Sequence, residues 1–294
     1  MNIQPSAGER LKAAVLAESP LQMVGVINAY CALLAEHAGF QALYLSGAGV
    51  ANASYGLPDL GLTTRENVLE DIRRIVSVTS LPLLVDGDTG FDDTALTVRY
   101  FIEAGAAGLH IEDQISEKRC GHRPNKRVVP VEEMVDKIKS AVSACGDSGF
   151  VVMARTDAMA VEGYDATIAR IDAYIEAGAH MIFPEAMLTL SDYSKLTKNV
   201  NAPVLANITE FGKTPLFTTS ELGQAGVSIA LYPLTAFRMM SQVAFDAYKT
   251  LKDEGTQTSL ITRMQSREEL YQHLDYHRFE QALDQRLSKD ESKK

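Results

Sequence analysis

Eight short apolar runs recur along this chain, each followed by a longer amphipathic stretch, and that alternation admits few folds. The runs are Met23 to Ile27, Ala42 to Leu45, Leu83 to Val85, Gly108 to Ile111, Val151 to Ala154, Met181 to Phe183, Val204 to Ala206 and Ser228 to Leu231. Unbroken apolar runs of this length suit parallel strands buried on both faces. Parallel neighbours in turn need a crossover, usually a helix, between them. An Ala-Gly pair stands just before four of the runs, at Ala38-Gly39, Ala104-Gly105, Ala177-Gly178 and Ala225-Gly226. Glycine is what a helix uses when it ends in a left-handed residue and turns back into a sheet. The pairs therefore read as one βα unit used repeatedly.

Eight such units could form an open doubly wound sheet or a closed barrel. A dinucleotide fingerprint would favour the open sheet, but Gly47-Ala48-Gly49-Val50-Ala51-Asn52 fails at its last position. The runs end in polar residues: Asn28, Ser46, Asp86 and Asp88, Glu112 and Asp113, Arg155 and Asp157, Glu185, Asn207 and Thr209. A (β/α)8 barrel of the TIM type gathers those ends on one face, where its active site sits, whereas an open sheet would spread them along a line. The expectation is one barrel domain over residues 1–294, with a helical extension from about residue 235. That extension reads as one helix over Thr235 to Glu254 and another over Glu268 to Leu287. The charged residues 288–294 are expected to be disordered.

A net charge of −10 argues against nucleic acid or an anionic membrane as partner. Cys31, Cys120 and Cys145 are too few and too scattered for a disulfide framework. No apolar stretch of ~20 residues could span a bilayer, and Met1 to Pro5 lacks a signal peptide's basic and apolar regions. A cytoplasmic location is expected.

Residues i and i+2 of an extended strand point the same way, so Asp86 and Asp88 can reach one cation. Glu112 and Asp113 would add oxygen ligands directly or through water, and Asp59 could hold such a water. An oxygen-only set with few side chains fits Mg2+ or Mn2+ better than zinc. Within Lys118-Arg119-Cys120-Gly121-His122, cationic neighbours lower the thiol's pKa, so Cys120 could give and take protons near neutrality. Arg155, Asn207, Thr209, Arg238 and Arg267 are candidate carboxylate binders. Ser46-Gly47-Ala48 could offer backbone N–H groups to an anion. Glu185 is either a further acid in the substrate shell or the residue that orients an arginine.

The segments YLSGAGV, GLPDLG, VDGD, GLHIEDQ, KRCGHRPNK, MARTDA, FPEA, LANITEFG and QSREELY resemble those of the 2-methylisocitrate lyases, in the isocitrate lyase and phosphoenolpyruvate mutase superfamily. The resemblance runs from about Leu21 to Leu287. It implies cleavage of (2S,3R)-2-methylisocitrate, a small tricarboxylate, to pyruvate and succinate in the methylcitrate cycle of propionate breakdown. Asp86 and Asp88 would then anchor Mg2+, with Asp59 and Glu112 acting mainly through water. Ser46, Gly47, Ala48, Cys120, Gly121, Arg155, Glu185, Asn207, Ile208, Thr209, Arg238 and Arg267 match substrate-shell positions. Cys120 would be the proton donor, with His122 beside it and Tyr44 or a metal-bound water as candidate base. The family also implies a homotetramer that exchanges its last barrel helix between subunits. Three features depart from the family pattern: Ala48 replaces a glycine, Gly87 replaces an alanine, and the stretch between Gly90 and Gly105 is short. Sibling chemistry, on isocitrate or another 2-hydroxy or 2-oxo diacid, is the nearest alternative. A non-catalytic barrel is the alternative of another class.

Overall fold

The computed structural model describes residues 4–115 and 126–291. Its strands are β1 (Leu21–Gly25), β2 (Ala42–Leu45), β3 (Leu83–Asp86), β4 (Gly108–Glu112), β5 (Val151–Thr156), β6 (Met181–Pro184), β7 (Leu205–Asn207) and β8 (Ile229–Tyr232). All pair in parallel, in the order β6-β5-β4-β3-β2-β1-β8-β7. A parallel bridge between Ile182 and Val204 joins the two ends of that order and closes the ring. The expected barrel is present. The first strand begins and ends earlier than its apolar run, because the register that seats Met23 beside both Ala42 and Leu231 draws in Leu21.

Helices α1 (Ala7–Ala17), α2 (Ala29–His37), α3 (Gly47–Gly49), α4 (Arg65–Val76), α5 (Thr94–Glu103) and α6 (Val131–Cys145) alternate with the first strands. They are followed by α7 (Tyr164–Glu176), α8 (Leu190–Asn199), α9 (Thr219–Gln224) and α10 (Thr235–Glu254). The four Ala-Gly pairs end α2, α5, α7 and α9, with the glycines at φ of 95°, 92°, 103° and 80°. After each, the N–H of the next residue reaches back to the helix: Phe40 to Ala35, Ala106 to Phe101, Ala179 to Tyr174 and Val227 to Leu222. These bonds satisfy carbonyls that a helix end leaves open. The short stretch after β3 still holds a complete helix, because Asp93 caps α5 by accepting from the Leu96 N–H.

Two apolar layers result. One lies between strands and helices. The other fills the barrel, with Leu21, Met23, Leu84, Val151, Met153, Met181, Leu205 and Ile229 interlocked inside. Leu11 and Val15 of α1 join that inner cluster and close the end where the strands begin. Sequence patterning assigned no role to α1. Ser6 and Glu9 form a reciprocal cap at its start.

The chain divides into two compact units, residues 1–237 and 238–294. In the second unit, the single helix expected over Glu268 to Leu287 is two, α11 (Arg267–His273) and α12 (Tyr276–Glu291). Asp275, at φ 51°, interrupts the helical path between them. Residues 288–291, expected to be disordered, continue α12.

Candidate active site

Side chains that face the barrel axis recur every second residue along a strand. An inward apolar residue is therefore followed, two positions on, by a polar one at the carboxyl end. Leu84 gives way to Asp86, Met153 to Arg155, Phe183 to Glu185 and Leu205 to Asn207, all buried.

On one side lie the acids. Asp86 Oδ2 accepts the Gly47 N–H at 3.0 Å, and its Oδ1 accepts the Asp88 N–H at 3.1 Å. The Tyr44 hydroxyl is 3.4 Å from Asp86 Oδ2 and 2.8 Å from His110 Nε2. Burial first, and then the charge of Asp86, push the Tyr44 phenol well above its usual value. Without a cation beside it, the phenol keeps its proton at neutral pH. Asp88 sits at φ 50°, a region that strains any residue with a Cβ. A Cβ at Gly47 would lie 3.1 Å from Asp86 Oδ2 and 3.4 Å from Asp88 Oδ1, so both carboxylates border the same small space. Gly87 sits so close to β4 that a Cβ would meet His110 O at 2.7 Å, so the family's alanine would require a shift here.

On the other side lies Arg155, held from three directions. Its Nε is 3.0 Å from Asp157 Oδ2 and 3.2 Å from Glu112 Oε2, and its Nη2 is 3.1 Å from Glu185 Oε2. Its guanidinium also stands 5.0 Å from the Phe183 ring centroid. Lys126 Nζ closes on Asp157 Oδ1 at 2.5 Å. Burial works against the charge on Asp157, but Arg155 and Lys126 outweigh it and hold the carboxyl below its usual range. Burial likewise opposes the charge on Arg155, yet Asp157, Glu112, Glu185 and Asp86 hold it cationic. Asn207 donates to Glu185 Oε2 at 3.3 Å, while its own buried Oδ1 has no hydrogen-bond partner among the described residues. A buried acceptor left open in this way calls for a donor beyond those residues.

The remaining expected residues fall in several places. Ser46 and Thr209 are buried at strand ends, and Ala48 is half-buried on α3. The Gly47 N–H, expected to serve an anion, is committed to Asp86. The Ile208 side chain packs in the outer core and its N–H goes to Leu231 O. Asp59 is half-buried in the loop before α4. Arg238 on α10 and Arg267 at the start of α11 are exposed and belong to the second unit. Cys120, Gly121 and His122 lie outside the described residues.

Asp113 is a correction. It was expected to supply metal oxygens, but it turns toward the helix layer. Its carboxylate accepts from Thr156 Oγ1 at 2.7 Å, the Asp157 N–H at 2.9 Å and the Tyr174 hydroxyl at 2.9 Å. The physical reason is strand alternation: neighbours on an extended chain face opposite ways. His110 and Lys126 went unnoticed as partners in the sequence. The same period-two rule could have found His110, two residues before Glu112, whereas Lys126 gave no signal beyond its place in the cysteine motif.

Among the described residues, no three His, Cys, Asp or Glu side chains converge as a ready-made metal cage. The donor set nevertheless fits a hard cation that keeps most of its water. Asp86 and Asp88 border one space, Glu112 is buried with its N–H on the Asp88 carbonyl, and among the described residues the buried carboxylates Asp86, Asp88, Glu112, Asp157 and Glu185 outnumber the buried cations Arg155 and Lys126. A divalent ion would offset most of that excess.

A closed eight-stranded barrel with acids and an anchored arginine at its carboxyl end defines a class, the TIM-barrel enzymes. Within that class, the chain belongs to the phosphoenolpyruvate phosphomutase family, whose pattern matches residues 11–252. A 2-methylisocitrate lyase of Escherichia coli is 57% identical over 98% of this chain and 99% of its own length. Another, of Bacillus subtilis, is 41% identical over 97% of this chain and 95% of its own. The solved structure of 2,3-dimethylmalate lyase, a PEP mutase/isocitrate lyase superfamily member, superposes with a TM-score of 0.88 at 31% identity, covering 96% of each chain. A phosphonopyruvate hydrolase complex with oxalate and Mg++ gives a TM-score of 0.81 at 27% identity, over 94% of this chain and 97% of that one.

Proposed function

We propose that this enzyme cleaves (2S,3R)-2-methylisocitrate to pyruvate and succinate by a Mg2+-assisted retro-aldol reaction, with Mn2+ as an alternative ion. What carries the reading is identity over nearly the whole chain to relatives named for that activity, at 57% and 56% for two of them. A neighbour of the same fold, a phosphonopyruvate hydrolase solved as a complex with oxalate and Mg++, supports a small carboxylate ligand and a divalent cation.

The reaction must remove the C2 hydroxyl proton, break the C2–C3 bond and return a proton to C3. A divalent cation, when bound, supplies positive charge that acidifies the hydroxyl and steadies the developing carbonyl. Asp86 and Asp88 would hold that ion, with Glu112 and Asp59 acting through water. Tyr44 steadies Asp86. Arg155, fixed by Glu112, Asp157 and Glu185, presents cationic N–H groups to a carboxylate beside the carbon that gains the electron pair. Asn207 and Thr209 border the same side, and Arg238 and Arg267 are assigned to further carboxylates. Cys120 is assigned the returning proton. The exposed Met239, Phe245 and Tyr248 on α10 support a homotetramer in which that helix packs on a neighbouring subunit. The methylcitrate cycle and the cytoplasm complete the reading.

The test is a lactate dehydrogenase-coupled assay. Pyruvate should appear from 2-methylisocitrate with Mg2+ present, and faster release of glyoxylate from isocitrate would replace this reading with isocitrate cleavage.

A further inference from the structure

Arg155 is crowded by negative charge. Asp157, Glu112 and Glu185 all stand within 3.2 Å of its guanidinium nitrogens. A cation so surrounded attracts an incoming carboxylate poorly, because each buried neighbour repels what the guanidinium attracts. A second cation stands in the same network. The Lys126 side chain is 2% exposed, and its Nζ meets the same Asp157 whose other oxygen holds Arg155.

We propose that Lys126 is a positioning and charge-balancing residue for substrate binding: by neutralising Asp157 it leaves Arg155 free to attract a substrate carboxylate. The proposal rests on the functional reading above, which places a carboxylate of succinate at Arg155. Asp157 then has two tasks. It orients the guanidinium through Nε, and it is itself paired, so that it does not cancel the charge it orients. Removing the lysine would leave the arginine in place but facing an uncompensated carboxylate.

Succinate binding measured by calorimetry with Mg2+ present, together with steady-state kinetics on the same proteins, tests this. Lys126→Met should weaken succinate binding and raise KM about tenfold, with kcat changed by less than about threefold. Lys126→Met combined with Asp157→Asn removes both charges and leaves no unpaired ion in the interior. That double variant should regain most of the lost affinity, and Lys126→Arg should keep KM close to the parent's. A lysine that only anchored the chain would lower the melting temperature of Lys126→Met without moving KM, and the second change would rescue nothing. Unchanged succinate binding in the single variant, or a double variant as weak as the single, overturns the proposal. Should Lys126→Met fail to fold, the double variant decides alone: affinity near the parent's supports the proposal and a tenfold loss overturns it. A parent enzyme that releases no pyruvate would remove the functional reading itself. Pyruvate release together with charge-insensitive binding removes only the role of Lys126.

Discussion

The two ends of the barrel are built from the same strands and answer opposite demands. Where the strands begin, Leu11 and Val15 of α1 close on Leu21 and Val151, and the inner layer there is apolar. Where they end, Asp86, Glu112, Arg155 and Glu185 replace apolar residues, and Asp88 is held at φ 50°. The first end gains from packing alone, since removing apolar surface from water asks nothing of its partners. The second must bury charge, which is tolerable only where each charge meets an opposite one or a bound ion. Stability is concentrated at one end and strain at the other, a few residues apart on each strand.

The largest expected effect comes from relaxing the strained end. Asp88→Gly should lower metal-dependent activity about a thousandfold or more and abolish calorimetric Mg2+ binding. The same variant should be more stable by about 1 kcal/mol in urea denaturation, because glycine takes a positive φ without cost. A variant that lost activity and stability together would erase the contrast between the two ends. At the packed end, Leu11→Ala should cost about 2–4 kcal/mol of stability with KM and kcat unchanged, checked by denaturation and kinetics on one preparation. A shift in KM there would mean that the ends are not independent.

The smallest effect distinguishes the ends by pH. His180, just before β6, accepts the Val152 N–H through Nδ1 at 3.0 Å, and burial first, then Lys12, lower its pKa below 6.5. The unfolded chain therefore takes up this proton before the native one does, and stability falls as pH drops below 6.5 toward the native value. His180→Asn keeps an acceptor but cannot titrate. Its loss of melting temperature between about pH 7 and pH 5.5 should be smaller than the parent's by about 1–2 °C. Equal losses would remove His180 from the pH response.

Much of this architecture was legible in the residues. The alternation of apolar runs with Ala-Gly pairs specified the strand count, and the pairs fall at left-handed helix ends as expected. Strand-end polarity pointed to the carboxyl face, where the structure brings Glu112, Arg155 and Glu185 together. Other features were not legible, and each omission has its own cause. Helix α1 carries no strand partner in sequence, and only the closed ring shows that it has an open end to plug. Glu112 and Asp113 look alike as letters, yet one faces Arg155 and the other the Tyr174 hydroxyl, because strand register sorts neighbours to opposite faces. The break at Asp275 turns on one backbone conformation, which composition leaves open.

The sequence by itself determined the repeating unit, the polar strand ends and the family, since all three are written in local order and spacing. Only the tertiary structure decided which charges meet. Lys126 and Asp157 are 31 residues apart, and Arg155 reaches Glu112 and Glu185 on neighbouring strands. Electrostatic attraction depends on distance through space rather than along the chain, and barrel closure sets those distances.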